Sequence, residues 1–253
     1  MRVFSIPFSG GSLVKGVEFA PSLIKEKLKI KMEEIKIDNF NISYSHKNIR
    51  KVIAKQKKRF VAFGGDHSIT FPLLQALKRN FKQLGLIVLD AHPDCLQTWN
   101  AVTNDNWLSS AIKNRLVNKK NVFIIGVRDI DGIEYEFLKK NRINFFRTLN
   151  KEILNFILKR MKNLRFHLSI DLDVLDPKYF PGVSYAARGG LRINEIINFL
   201  KAILRFKNLI SIDFVEFNPG VEKEKSIKNL KKIMRFLNFK FFKNRGKNSN
   251  KRN

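Results

Sequence analysis

The 253-residue chain has one cysteine, four histidines and two tryptophans, and it is short of acid, with 22 Asp and Glu against 49 Lys and Arg. A lone thiol, Cys95, cannot build a disulfide framework and fits a reducing, cytoplasmic compartment. The lack of a CxxC pair or thiolate cluster disfavours a structural zinc site. No apolar run reaches the roughly 20 residues that a membrane-spanning helix needs. The opening MRVFSIPFSGG reads as a first strand and is too short for a signal-peptide core. Neither a membrane nor a secretory route is therefore expected, and the Asn41-Ile42-Ser43 triplet reads as chance rather than as a glycosylation site.

The shortage of acid leaves a formal net charge of +27. Such a surplus raises the question of a nucleic-acid partner. The cations, however, are spread along helical stretches such as 23–36 and 151–165, interleaved with Ile, Phe and Asn. A dedicated interface would concentrate them on one element. No specific nucleic-acid partner is expected, although weak, salt-sensitive polyanion binding follows from the charge itself.

An apolar fraction of 44% is ordinary for a globular protein. Short β-branched and aromatic runs at 3–6, 60–63, 86–89, 122–125, 166–170 and 210–214 read as strands. Most are apolar throughout, as strands covered on both faces are. Amphipathic stretches at 72–80, 108–116, 135–141, 151–161 and 194–206 alternate with them. The alternation predicts an α/β fold with a mostly parallel sheet. No linker divides the chain, so one domain over 1–242 is expected, with 243–253 as a basic, disordered tail.

Three apolar strands run straight into acid and histidine. Residues 60–63 lead to Gly64-Gly65-Asp66-His67-Ser68, 86–89 to Asp90-Ala91-His92-Pro93-Asp94, and 167–170 to Asp171-Leu172-Asp173. Ligand sites of parallel sheets lie beyond the carboxyl ends of strands. A spacing of two in extended chain puts Asp90, His92 and Asp94 on one side, and Asp171 and Asp173 likewise. Taken singly, Asp-x-Asp is usually a helix cap and a histidine after Gly-Gly-Asp a turn residue. Together, so many carboxylates need counter-charge, and two divalent cations supply it. The oxygen-nitrogen donor set His67, Asp90, His92, Asp94, Asp171 and Asp173 suits manganese, zinc or ferrous iron over calcium.

These three segments, the last extended through Asp176-Pro177, resemble the signatures of the arginase/agmatinase (ureohydrolase) family. Further likenesses are Ile6-Pro7-Phe8, Gly16-Val17-Glu18, Ile125-Gly126-Val127-Arg128, Gly189-Gly190-Leu191 and Asp213-Phe214-Val215-Glu216-Phe217-Asn218-Pro219. The resemblance implies a three-layer α/β/α fold and hydrolysis of a guanidino C–N bond to release urea. It implies two manganese ions, with His67 and Asp94 on one, His92 and Asp173 on the other, and Asp90 and Asp171 bridging. It further implies that a hydroxide held between the ions attacks the guanidinium carbon. Asp94 would steer the hydroxide's proton and Glu216 would bind the substrate guanidinium. Asp66, Ser169 and Asp176 would orient the ligands. Relatives commonly form trimers or hexamers, so a homo-oligomer is expected.

The chain departs from the family pattern after the second signature, where a proton-shuttling histidine is usual. Residues 98–108 contain none, and Asn104 or Asp105 aligns with the gap. Loss of a positioned acid typically costs about 10²–10⁴-fold in rate, so weak catalysis, or metal binding without catalysis, is an alternative. Of the other histidines, His167 reads as a core residue and His46 as a surface one. The segment after Asp94 lacks the Asn/Ser/Thr pattern that holds an amino-acid carboxylate. Agmatine, hydrolysed to putrescine and urea, is therefore the expected substrate. Arginine remains open, as does a formiminoglutamate-type substrate, which Arg188 would face.

Overall fold

The computed structural model describes residues 2–97 and 101–241, with side chains described as far as Leu237. The expected tail over 243–253 lies outside the described residues, as do positions 98–100. In chain order the first half comprises β1 (Arg2–Ile6), α1 (Ala20–Leu28), β2 (Glu33–Glu34), α2 (Ile42–Ile53), β3 (Phe60–Gly64), α3 (Thr70–Asn80), β4 (Leu84–Leu89) and α4 (Trp107–Lys113). The second half comprises β5 (Val122–Ile125), α5 (Gly132–Asn141), β6 (Asn144–Phe146), α6 (Lys151–Met161), β7 (Arg165–Asp171), α7 (Ile193–Ile203), β8 (Leu209–Val215) and α8 (Glu224–Phe241).

All eight strands join one parallel sheet in the order β2-β1-β3-β8-β7-β4-β5-β6. Successive side chains alternate between its faces. Phe166, Leu168 and Ile170 of β7, with Val61 and Phe63 of β3, pack under α1, α6, α7 and α8. Phe60 and Ala62, with Leu86 and Val88 of β4, pack under α2 to α5. Two apolar cores, one on each face, make the three-layer α/β/α architecture and explain why the strands are apolar throughout.

Several boundaries differ from expectation. The helix expected over 23–36 ends at Leu28, because Lys29 turns left-handed (φ 53°) and Glu33–Glu34 then pair with β1. Here edge pairing overrides a helical pattern. The short strands β2 and β6 and the helices α2 and α8 were not anticipated. Asn41 serves as the N-cap of α2, accepting from the Tyr44 N–H.

His46 also needs correction. It is buried on α2, 5.6 Å from the Phe8 ring and 6.3 Å from Phe71, and its Nε2 has no hydrogen-bond partner. Burial, then the charge of Arg50, lowers its pKa to about 4.

Candidate metal centre

The strands β3, β8, β7 and β4 are immediate neighbours in that order. Their carboxyl ends therefore deliver His67, Glu216, the Asp171/Asp173 pair and the Asp90/His92/Asp94 run to one patch. The crowding depends on a close backbone approach. A Cβ on Gly65 would sit 1.9 Å from the Phe8 carbonyl oxygen, where the Gly65 and Asp66 N–H groups bond the chain leaving β1. Asp66 accepts from the N–H groups of Gly11 and Ser68 and from the Ser68 hydroxyl, which folds the turn that carries His67.

Main-chain N–H groups aim the carboxylates. Asp90 Oδ1 accepts from His92 N, Asp171 Oδ1 from Asp173 N, and Asp173 Oδ1 from Ala91 N. In each case the second oxygen turns toward a histidine. His67 Nδ1 lies 3.1 Å from Asp90 Oδ2, 2.9 Å from Asp94 Oδ2 and 3.1 Å from Asp171 Oδ2. His92 Nδ1 lies 2.8 Å from Asp173 Oδ2 and 3.7 Å from Asp90 Oδ1. Two groups of potential ligand atoms result, His67/Asp90/Asp171 and Asp90/His92/Asp173, with Asp90 in both. Among the described residues, His67 Nδ1 and Asp90 Oδ2 are buried without a hydrogen-bond partner. Such atoms are costly unless something coordinates them. Adjacent lone-pair donors with open valence fit divalent ions, and the mixed O/N set suits manganese, zinc or iron.

The electrostatics say the same. Burial opposes the His67 imidazolium, yet Asp171, Asp90 and Asp94 raise its pKa well above the usual range. His92 is raised too, against burial, by Asp173 and Asp90. Burial and then the Asp90 charge lift Asp94 to about 7, and burial with Asp173 and Asp90 raises Asp171. Without metal, protons must supply the missing positive charge.

Behind His67 runs a polar vein across the sheet. His67 Nε2 meets the Ser169 hydroxyl at 2.9 Å, and Ser169 donates to Asp213 Oδ1 at 2.5 Å. Asp213 Oδ2 accepts from Thr70 at 2.8 Å and lies 2.9 Å from His167 Nε2, while His167 Nδ1 meets Ser211 at 2.7 Å. Register makes this possible, since β7 pairs with β8 as His167↔Ser211 and Ser169↔Asp213. Burial works against the Asp213 carboxylate, but His167 and its other partners hold its pKa below the usual range. His167 is thus the core histidine expected, and it is fully partnered. Asp176 closes a turn by accepting from the N–H groups of Lys178, Gly189 and Gly190.

A cavity of about 450 Å³ opens above the centre. Among the described residues, eight carboxylates line it (Asp94, Asp105, Asp129, Asp131, Glu134, Asp171, Asp173 and Glu216), and no Lys or Arg does. Glu216 has a left-handed backbone (φ 63°), gives Oε1 to the His67 N–H, and has a buried, unpartnered Oε2. Burial, then the Asp66 charge, raises its pKa well above the ordinary carboxylate. Arg188 is exposed and not among the lining residues. Arg128 turns away, donating to the carbonyls of Asp173 and Ala187.

Asn104 and Asp105 reach the cavity, and the Asp105 carboxylate accepts from the Thr103 hydroxyl. Neither makes a link to the centre. A side chain that does make one is Trp107, which the sequence reading passed over. Its indole Nε1 donates to Asp94 Oδ2 at 2.7 Å. The available signal was a tryptophan 13 residues beyond Asp94, with an N–H that demands an acceptor once buried.

A family model described as the arginase family matches residues 1–237. The chain is 33% identical over 232 residues to an arginase of Plasmodium berghei, covering 75% of this chain and 65% of that protein. It is 31% identical over 183 residues to an N(1)-aminopropylagmatine ureohydrolase of Thermus thermophilus, covering 70% and 61% respectively. The chain therefore spans just under two thirds of these relatives' own lengths. Its fold matches a formimidoylglutamase of Bacillus subtilis with a TM-score of 0.86 at 21% identity, over 97% of this chain and 88% of that one.

Proposed function

The chain belongs to the arginase family, and from that premise we propose that it is a dimanganese hydrolase cleaving the guanidino C–N bond of a cationic substrate such as agmatine. The observation that carries the substrate class is the cavity: beyond the ligand carboxylates of Asp94, Asp171 and Asp173, its described lining holds five more, Asp105, Asp129, Asp131, Glu134 and Glu216, and no Lys or Arg, in a chain of net charge +27. A site so lined favours a substrate positive at both ends and penalises a tail that brings a carboxylate. A formiminoglutamate-type substrate, which Arg188 was expected to face, finds no Lys or Arg among the described lining residues.

His67, Asp90, Asp94 and Asp171 would hold one ion, and His92, Asp173 and the shared Asp90 the other. Bound there, divalent ions supply Lewis acidity and draw a nucleophile from water near neutral pH. The unpartnered Glu216 Oε2 accepts a guanidinium N–H, and the arriving cation favours the ionised carboxylate that burial otherwise resists. Asp94, lining both the centre and the cavity, takes a proton from the attacking water. At the leaving amine the chain is poorly equipped. Two of its four histidines sit in the centre, His167 in the vein and His46 beneath Phe8, so no imidazole remains for the amine. Turnover is expected to be slower by about 10²–10⁴-fold than with a positioned acid.

Arginine is the second reading, favoured by Ser12, Thr103 and Asn104 at the cavity wall, whose neutral groups can bond a carboxylate. The test is urea release by manganese-loaded protein. We expect kcat/KM for agmatine to exceed that for arginine at least about tenfold, the worth of one charge-assisted contact. The opposite ratio selects arginine, and no urea from any guanidino compound refutes the enzymatic reading.

A further inference from the structure

We propose that Trp107 is a positioning residue for the metal centre, acting through Asp94; the inference rests on the metal-binding reading of the site. Asp94 is awkward to hold. Its backbone is left-handed (φ 50°), it stands on a loop beyond β4, and its side chain is partly open to the cavity. Asp90, Asp171 and Asp173 are each aimed by a main-chain N–H on Oδ1, which leaves Oδ2 for the nearest histidine. Asp94 instead receives the Trp107 indole N–H, at 2.7 Å, on Oδ2, the oxygen that lies 2.9 Å from His67 Nδ1.

The clamp is built from both ends. Trp107 opens α4 and is fully buried, and the next residue, Leu108, donates its N–H to the Asp94 carbonyl at 3.1 Å. The indole ring also covers His67, with ring centroids 4.6 Å apart. One residue thus fixes the Asp94 carboxylate, packs on the imidazole it must meet, and closes that side of the centre. A buried indole N–H needs an acceptor, and Asp94 is the one it has. Rigid outer partners of this kind typically change metal affinity by about 10–100-fold.

The test uses Trp107→Phe, which keeps a ring over His67 and deletes only the N–H donor. Manganese binding is measured by calorimetry on the full chain. We expect one of the two ions to bind about 10–100-fold more weakly and the other to change less than about threefold. In an Asp94→Asn background the same substitution should cost nothing further, since the two act as a unit. Unchanged affinity in Trp107→Phe overturns the proposal, as does an equal loss at both ions or a full extra loss on Asp94→Asn, either of which means packing alone. Wild-type protein that binds no manganese overturns the metal-centre reading itself, a result distinct from these.

Should Trp107→Phe not fold, Trp99→Phe leaves one indole to observe by nitrogen-15 NMR. A Trp107 N–H that is protected from exchange, and whose resonance moves on adding diamagnetic zinc, supports the clamp. An N–H that exchanges freely and does not move overturns it.

Discussion

Single side chains in this protein are held in forms that water would not favour, and two of them make distinct predictions. Glu216 keeps one oxygen on the His67 N–H and leaves the other buried and unpaired. If that oxygen receives the guanidinium, Glu216→Gln loses a charge-assisted bond worth about 1.5–3 kcal/mol. Steady-state kinetics should then show kcat/KM lower by about 10–100-fold with metal content unchanged. An unaltered kcat/KM would remove Glu216 from the substrate site. His46 is the second case. Its pKa falls from an unfolded 6.5 to about 4 in the fold. The unfolded chain therefore binds the extra proton first, and His46 favours the fold above pH 6.5 but progressively less as the pH falls toward 4. At about 1.4 kcal/mol per unit the full effect is of order 3 kcal/mol. Denaturant melts of His46→Phe should lose stability less steeply than wild type between pH 6.5 and 4. Parallel curves would contradict the assignment.

Elements decide what each residue can reach. Four neighbouring strands, β3, β8, β7 and β4, end side by side, and their turns carry the whole centre. The turn after β3 fits only because Gly65 has no side chain against the Phe8 carbonyl. Gly65→Ala should therefore cost of order 3 kcal/mol in chemical denaturation and displace His67. A variant as stable as wild type would mean that the approach of β1 to this turn is looser than described. Much of this layer was legible in the sequence, because apolar runs ending in Asp or His announce both the strand and its direction. The three-residue β6 and the Glu33–Glu34 edge were not, since their pairing comes from neighbours rather than from their own residues. Spacing grouped Asp90, His92 and Asp94, but not through the extended chain it assumed, since the backbone bends at Ala91 and His92 and turns left-handed at Asp94 (φ 50°). It could not show that α4 folds back to put Trp107 on Asp94, or that strand register joins His167, Ser211 and Asp213 behind His67. Those contacts are set by tertiary packing over distances no local pattern encodes. His46 was misread for a related reason, its polar neighbours Ser45 and Lys47 hiding a helix face that packs on Phe8.

Across the whole molecule, charge is divided sharply. The chain is strongly basic, yet the carboxylate-rich cavity above the centre concentrates acid at the carboxyl edge of the sheet. No described helix is long and apolar enough to cross a membrane. With so much unmatched acid in the centre, folding and metal binding are expected to be linked, since an ion that binds only the native site would stabilise it. The most direct measurement is metal stoichiometry, taken by elemental analysis after manganese loading and removal of free ion, on wild type and on Asp90→Asn. The structure predicts two ions per wild-type chain, a higher melting temperature when loaded than after chelation, and weakened binding of both ions in Asp90→Asn. Fewer than two ions in wild type, or Asp90→Asn that retains both at full affinity, would contradict the paired centre.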